Sequence, residues 1–246
     1  MPEDRIQQAI EEALTLFHSG VAHQNKGDYP EAEDAYRRCL LMMRAIRNTN
    51  GEAATLHYLG TLLESKGAFH EAQTCFEDSY QLFQSENDAQ NSLFSLFFQS
   101  MLALKLREHE KTSQLLNGAL DQAFSMGPKL IQEAWGRARQ IAGVLFARKD
   151  FLGLIQFGQG MERVGTQQQH QQSTGTLMRK LAELTTQQGT FYLACGRLWT
   201  TQDDWNEQQE EDLPNWLLQA AVNLDHGTGS GFSFTDLAAK VIQERS

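Results

Sequence analysis

Two short motifs contain residues of the kinds that bind phosphate or zinc. The glycines of GTGSG at residues 227–231 resemble part of a phosphate-binding loop, but Phe232 stands where the loop needs a Lys. His70 and Glu71 resemble the start of a zinc protease helix, which needs a second His where Thr74 stands. We therefore interpret GTGSG as a connector between the last two helices. The His70-Glu71 pair is expected to be exposed at a helix start.

The three cysteines, Cys39, Cys75 and Cys195, are odd in number and far apart in the sequence. They lack the CxxC spacing of zinc and redox sites, so we interpret them as small packing residues in a reducing compartment. No pattern of side chains in the sequence points to catalysis. The sequence predicts that the protein is not an enzyme and has no cofactor and no metal site.

Composition restricts the class of protein and its partners. The chain has 246 residues, of which 41% are hydrophobic, and a formal net charge of −10. This charge disfavours binding to nucleic acid, because the phosphate backbone would be repelled. The N-terminal segment has no long apolar run, and no stretch approaches the roughly 18 apolar residues of a membrane span. We expect a cytoplasmic protein that binds neither nucleic acid nor membranes.

Residues 56–76 show how the chain is organised. The first apolar residues of this segment follow helical spacing, and they are Leu56, Leu59, Gly60 and Leu63. Gly67 is expected to end that helix, and Phe69, Ala72 and Phe76 then line one face of a second helix. Because a glycine inside a helix costs about 1 kcal/mol relative to Ala, Gly60 needs a reason. We expect it to allow the second helix to approach closely around Ala72.

The residue that opens this second helix recurs along the chain. The recurring positions are Tyr29, Phe69, His109, Phe151, Phe191 and Phe232. Their spacings are 40, 40, 42, 40 and 41 residues. One helical hairpin cannot bury its own apolar faces, so copies at this regular spacing predict a helical repeat array.

The pattern resembles the tetratricopeptide repeat, a helical hairpin with a Leu-Gly pair in the first helix and Ala-x₃-Phe in the second. The two best copies hold Leu59, Gly60, Ala72 and Phe76 in one and Gly20, Ala32 and Tyr36 in the other. The resemblance implies an all-α fold, a right-handed α-α superhelix of about five to six hairpins with a C-terminal capping helix. A single solenoid domain would then cover residues 1–246. The expected repeats are approximately 13–52, 53–92, 93–134, 135–174 and 175–214, with a degenerate cap at 215–246.

The repeat is longer than the common 34-residue form of this family. Arg44 and Gln84 stand where that form places the Pro that ends the second helix, so this helix can continue by more than one turn. The chain thus resembles the long-repeat subclass seen in kinesin light chains and cell-polarity adaptors. Each helix is expected to contain about 16 residues.

Local signals predict the two ends of the array. The first helix is expected to begin near Glu3, just after Pro2. Near the other end, residues 212–214 (Asp-Leu-Pro) are expected to start a helix. Ser233 and Asp236 have the spacing of a capping box, and an apolar stripe follows them. The stripe consists of Leu237, Ala238, Val241 and Ile242.

The family resemblance implies that the first helices of successive repeats line a groove for a peptide or helical ligand. The implied groove residues are Phe17, Val21, Gln24, Asn25, His57, Thr61, Glu64, Phe94, Phe97, Met101, Leu104, Arg139, Gly143 and Phe146. Relatives that grip acidic chaperone tails carry basic residues where Phe97 and Met101 stand, so we exclude that ligand. The apolar middle favours an amphipathic helix or a hydrophobic peptide. The sequence therefore predicts a non-enzymatic scaffold or adaptor for another protein.

Several alternatives stay open at this point. Residues 93–106 are hydrophobic on nearly all sides, so this helix is either buried within the fold or part of a partner site. The helix that holds Trp216 and Leu217 is one candidate to fill the groove. A regulatory peptide receptor or sensor that acts in trans is the alternative function, and self-association is open as well.

Two polar segments complete the sequence predictions. Residues 203–212 carry six acids and no base, and they form either a solvated connector or a docking site for a basic partner around Trp205. The run QQQHQQ at residues 167–172 is interpreted as a polar linker.

Overall fold

The computed structural model describes residues 3–171, 176–200, 207–228 and 233–245, and these residues form eleven α-helices and no strand. The helices are α1 Glu3–Lys26, α2 Tyr29–Ala45, α3 Thr49–Ser65, α4 Phe69–Ser85, α5 Ala89–Lys105, α6 His109–Met126, α7 Pro128–Ala147, α8 Phe151–Gln171, α9 Thr176–Thr200, α10 Glu207–Thr228 and α11 Phe234–Arg245. Within each compact part of the chain, consecutive helices pack on one another, which confirms the predicted all-α class of a tetratricopeptide-like solenoid.

Short turns at regular intervals separate the first eight helices. Each turn contains one residue in the left-handed backbone region, and these residues are Gly27, Arg47, Gly67, Asn87, Arg107, Gly127 and Lys149. The predicted stop at Gly67 is confirmed, because α3 ends at Ser65 and Gly67 has a φ of 79°. The amide of Ala68 then donates to the carbonyl of Leu63, which closes the helix end.

Most of the predicted second helices begin where the sequence places them. Tyr29, Phe69, His109 and Phe151 each open a helix, so these four predictions are confirmed. The prediction for Phe191 is wrong, because Phe191 lies inside the continuous helix α9. Gly189 does not end α9: the backbone there packs so closely on Glu162 of α8 that the small residue is required within the helix. Phe232 lies outside the described residues.

The chain forms two compact units, unit 1 (Met1–Leu106) and unit 2 (Arg107–Ser246). The core of unit 1 is built from both helices of its hairpins, and it contains Ala32, Tyr36, Leu59, Leu62, Leu63, Ala72, Phe76 and Leu102. A methyl group added at Gly60 would lie 2.8 Å from Cε1 of Phe76. The close approach predicted for Gly60 therefore involves the Phe76 ring and not Ala72. Gly20 meets Tyr36 in the same way in the preceding hairpin, at 2.6 Å.

Unit 2 is organised around α8 and α9, which pack backbone against backbone. A methyl group added at Gly158 would lie 2.6 Å from the carbonyl oxygen of Gly189, and one added at Gly189 would lie 2.7 Å from that of Gly158. A hydrogen bond of 2.9 Å from Trp135 Nε1 to Thr185 Oγ1 joins α7 to α9. Both partners are buried, so this polar contact fixes the position of α7 on α9.

The C-terminal predictions are partly confirmed. The amide of Asp236 donates to Ser233 Oγ at 3.0 Å, and Leu237, Ala238 and Val241 are buried while Asp236 and Lys240 are exposed, as a capping helix requires. Asp225 of α10 adds a cap that the sequence does not reveal, because its carboxylate accepts the amide hydrogens of Phe234 and Thr235.

Other segment predictions are corrected by the helix bounds. The first helix begins at Glu3, as predicted. α10 begins at Glu207 and not at residue 212, and α8 continues to Gln171, so residues 167–171 are helical and not a linker. Residues 203–206, Gln172 and most of GTGSG lie outside the described residues. The repeat bounds given for one domain stay a prediction.

Candidate functional site

The first helices of unit 1 meet through side chains that are partly exposed. Between α1 and α3, the rings of Phe17 and Tyr58 lie edge to face with centroids 4.8 Å apart. Further along the same helices, Gln24 Nε2 donates to Thr61 Oγ1 at 3.2 Å. Tyr58 is 40% exposed, and the other three side chains are half-buried. These contacts align an aromatic row and a polar row across the two helices.

The same arrangement continues from α3 to α5. The rings of His57 and Phe98 lie 4.6 Å apart at 89°, and Lys105 Nζ lies 2.6 Å from Glu64 Oε1. In each of these contacts, the second residue lies about 40 positions after the first, which is one repeat of the array. We call the resulting surface the first-helix face, and its residues are Phe17, Val21, Gln24, Asn25, His57, Tyr58, Thr61, Glu64, Phe94, Phe98, Met101 and Lys105.

A chain of hydrogen bonds orients the polar side of this face. The buried Tyr36 hydroxyl donates to Gln24 Oε1 at 2.8 Å, and burial raises the Tyr36 pKa to about 12. The hydroxyl therefore stays protonated and turns the Gln24 amide so that its nitrogen points to Thr61. Thr61 Oγ1 donates in turn to the carbonyl of Tyr58 at 2.8 Å. Gln24 and Thr61 are thus held in fixed orientations at the surface.

The first-helix face carries little net charge near its centre. Burial lowers the pKa of His57 to about 4, so its ring is neutral at pH 7. The ring packs against Phe76 as well as Phe98, with centroids 5.5 Å apart for the first pair. At the end of the face, the charges of Glu64 and Lys105 offset each other. The surface is suited to uncharged, apolar ligand groups more than to a strongly charged ligand.

The structure separates the predicted groove residues into three groups. Most of those in unit 1 lie on the first-helix face and are half-buried or exposed. Phe97 and Leu104 are each 1% exposed, so their side chains belong to the core, which favours the burial alternative for these positions of α5. Arg139, Gly143 and Phe146 are half-buried residues of α7 in unit 2. As ligand contacts, the predicted residues stay predictions.

Sequence reasoning missed Tyr58 and Phe98. Both residues lie one position after a predicted groove residue, His57 and Phe97 respectively. The ring pairs Phe17–Tyr58 and His57–Phe98 each join residues 41 positions apart (58 − 17 and 98 − 57), one more than the 40-residue period. A search one position beyond each equivalent would have found both aromatic residues.

Unit 2 has a separate groove between α9 and α10. It has a volume of about 270 Å³ and is lined by Thr186, Gln187, Thr190, Trp216, Gln219, Ala220, Asn223 and Leu224. Trp216 is 44% exposed at this groove, whereas its neighbour Leu217 is fully buried. Leu217 is therefore a core residue of unit 2, whereas Trp216 presents a partly exposed apolar side chain at the groove.

The cysteines are all free thiols. Cys39 and Cys195 are buried, and burial raises the pKa of the half-buried Cys75 to about 11. A thiol with this pKa is a poor nucleophile at pH 7. Within the described ranges, no group of three or more His, Cys, Asp or Glu side chains is placed to hold a metal ion. In the same part of the chain, no helix combines the length and the apolar character needed to cross a membrane.

Similarity to known proteins is strongest in unit 1. Residues 11–85 match the family model of the tetratricopeptide repeat. No curated protein matches the chain. The crystal structure of BtubC (BKLC) from P. vanneervenii is similar, with a TM-score of 0.50 and 14% identity over 90% of this chain and 90% of that chain. At that identity the similarity concerns the fold alone, and the kinesin light chain subclass stays a prediction.

Proposed function

We propose that this chain, whose residues 11–85 carry tetratricopeptide repeats, is a scaffold or adaptor that binds a peptide or an amphipathic helix on the first-helix face. Repeats of this family generally mediate interactions between proteins. The single observation that carries the proposal is the row of cross-helix contacts that leaves aromatic side chains partly exposed. A contiguous row of partly exposed rings, unlike a single exposed one, is typical of a surface that binds a partner.

The aromatic row provides the apolar part of the proposed binding surface. Phe17, Tyr58, His57 and Phe98 hold one another edge to face, so few rotamers are available to them before a ligand arrives. A ligand that covers them loses little additional side-chain entropy. Aromatic side chains fixed in this way are typical anchors of protein interfaces.

The polar row gives the surface direction. Gln24 and Thr61 lie on one side of the aromatic row, and the Glu64–Lys105 pair marks the end on α5. An amphipathic helix would place apolar side chains at i, i+3 or i+4 and i+7 on the rings. Its polar flank would meet the amide of Gln24. An acidic tail is disfavoured because the amine of Lys105 is already paired with Glu64.

A displayed peptide library tests this function. Wild-type protein is panned against a library of random 16-residue peptides, with the Tyr58→Glu variant as the competitor in solution. We expect enrichment of peptides with apolar residues at helical spacing, because the variant places a charge in the aromatic row. The matched control competitor is Leu177→Glu, which changes a leucine that is 58% exposed on α9 of unit 2.

The two competitors give opposite expectations. Soluble Leu177→Glu should compete for the enriched peptides as well as soluble wild-type protein does, and Tyr58→Glu should not. Circular dichroism of both variants must retain the helical signal of the wild type. An absence of enrichment, or equal competition by both variants, would contradict the proposed site.

We also propose a cytoplasmic location on the basis of the thiols. Cys39, Cys75 and Cys195 are unpaired, which is typical of proteins in reducing compartments. Imaging of a fluorescent fusion in the native cell tests this part of the proposal.

A further inference from the structure

The outer face of α1 corresponds to a surface that is buried in the following first helix. This face consists of Glu12, Thr15, Leu16, Ser19 and His23. The α3 residues 40 positions later are Glu52, Thr55, Leu56, Leu59 and Leu63. All of these except the half-buried Glu52 are buried, whereas Glu12 and Thr15 are exposed and the rest of the α1 face is half-buried or exposed. The same positions in α5, for example Ser92 and Ser95, are buried again.

A second helix covers this face on α3 and again on α5. Cys39 Sγ of α2 lies 3.4 Å from Thr55 Oγ1 of α3. One repeat later, Ser79 Oγ of α4 lies 3.5 Å from Ser95 Oγ of α5. Unit 1 therefore repeats one contact, in which a second helix packs on the next first helix. The outer face of α1 holds the positions equivalent to that contact, but Glu12 and Thr15 are exposed and the rest of the face is half-buried.

The charges on the two faces correspond as well. Glu52, the equivalent of Glu12, accepts a bond of 2.7 Å from Arg44 Nε of the covering helix α2. Beside Glu12, the outer surface offers an arginine of its own, Arg38 of α2, whose side chain is 62% exposed. Arg38 touches Asp34 at 3.5 Å, and such an exposed pair contributes little. The surface thus carries an acid, Glu12, whose equivalent Glu52 is paired with an arginine, and it also carries an exposed base, Arg38.

The same surface contains both depressions and a protruding leucine. Two depressions of about 400 and 440 Å³ lie between α1 and α2, and both are lined by Leu16 and Arg38. Leu41 is 66% exposed at the edge of the first depression. At the position of Leu41 in the next hairpin stands Gln81, a polar residue. An exposed leucine beside these depressions favours association with another surface.

We propose that two copies of this chain associate through the outer face of α1 and α2. A two-fold axis relates the copies, so that α2 of each covers α1 of the other. Arg38 of one copy then faces Glu12 of the other, and Leu41 enters a depression of the other copy. In this arrangement α2 covers the face of α1 that corresponds to the covered face of α3, but it does so with its exposed side, which carries Arg38 and Leu41.

The occupant is a second copy because the surface is complementary to itself. In a two-fold interface the same patch lies on both copies, so the patch must be complementary to itself. Each acid needs a base, and each protruding side chain needs a depression, within that one patch. Glu12 and Arg38 supply the charges, and Leu41 and the depressions supply the shape. The first-helix face is not part of this contact, so peptide binding and dimer formation are separable.

Charge reversal tests the dimer. Multi-angle light scattering measures the mass of wild-type protein from about 1 μM to about 1 mM, a range that covers weak dimers. We expect the mass to rise from 27.8 kDa towards twice that value. Arg38→Glu and Glu12→Arg should each stay monomeric, because each places like charges opposite one another. An equimolar mixture of the two variants should recover the dimer, since opposite charges then face each other at both copies of the contact.

A matched control distinguishes this contact from non-specific association of exposed leucines. Leu152→Glu changes a leucine that is 64% exposed on α8, and this variant should dimerise as the wild type does. Circular dichroism verifies that every variant is folded. A wild-type mass of 27.8 kDa at all concentrations would overturn the proposal. Dimers of either single charge variant, or a mixture that stays monomeric, would overturn it as well.

Discussion

Replacing Gly158 by Ala tests the backbone contact that joins α8 to α9. The new methyl carbon would lie 2.6 Å from the carbonyl oxygen of Gly189 and would also meet the amide nitrogen of Leu193. Both are backbone atoms, so no side-chain rotation can relieve the overlap and the two helices must separate. Overpacking of this kind costs up to about 3 kcal/mol, and the better helix propensity of Ala returns about 1 kcal/mol. We expect a net loss of about 2 kcal/mol.

Gly118→Ala is the matched control. Gly118 lies within α6, and no atom would come within 4 Å of a methyl group added there. Only the helix propensity changes, so this variant should gain about 1 kcal/mol. Urea denaturation followed by tryptophan fluorescence measures both, because the four tryptophans, Trp135, Trp199, Trp205 and Trp216, all belong to unit 2. A Gly158→Ala protein as stable as the wild type would refute the close packing of α8 and α9.

Three further predictions concern buried and capping groups. Burial lowers the pKa of His57 to about 4 in the folded chain, whereas the unfolded chain binds this proton below about pH 6.5. The free energy of unfolding should therefore fall by up to about 3 kcal/mol as the pH is lowered from about 6.5 to about 4. Urea denaturation at a series of pH values checks this, and His57→Gln should flatten the slope. Phe97→Asp buries a charge in the core of unit 1 and should lower the helical circular dichroism of the protein, whereas Met101→Asp on the same helix should preserve it. Asp225→Ala removes the cap of α11 and should cost about 1–2 kcal/mol there, seen as faster amide exchange in α11; unchanged exchange would contradict it.

The sequence predicts the starts of the second helices up to α8 well because local and repeated signals agree there. The period near 40 places the start of α2, α4, α6 and α8 at Tyr29, Phe69, His109 and Phe151. Gly67 ends α3 through its own backbone conformation, which is a local property. These predictions depend on the residue itself and its near neighbours, so no knowledge of packing is needed.

The errors arise where packing between distant segments decides the structure. Gly189 lies inside α9 because the backbone of α8 approaches it, and a period alone cannot show such a contact. Gly60 accommodates the ring of Phe76 rather than Ala72, since a large side chain reaches further than its position on the helix suggests. On α5, a rotation of one residue separates the buried Phe97 from the half-buried Phe98, and only the packed structure sets that rotation.

The affinity of one peptide for the protein and two variants is the most direct test of the proposed binding site on the first-helix face. A peptide enriched on the wild-type protein is titrated calorimetrically into wild type, Tyr58→Ala and Leu177→Ala. Loss of a central aromatic anchor costs about 2 kcal/mol at interfaces, so the affinity for Tyr58→Ala should fall about 30-fold while that for Leu177→Ala is unchanged. Equal affinity for the wild type and Tyr58→Ala would contradict a binding site on the first-helix face.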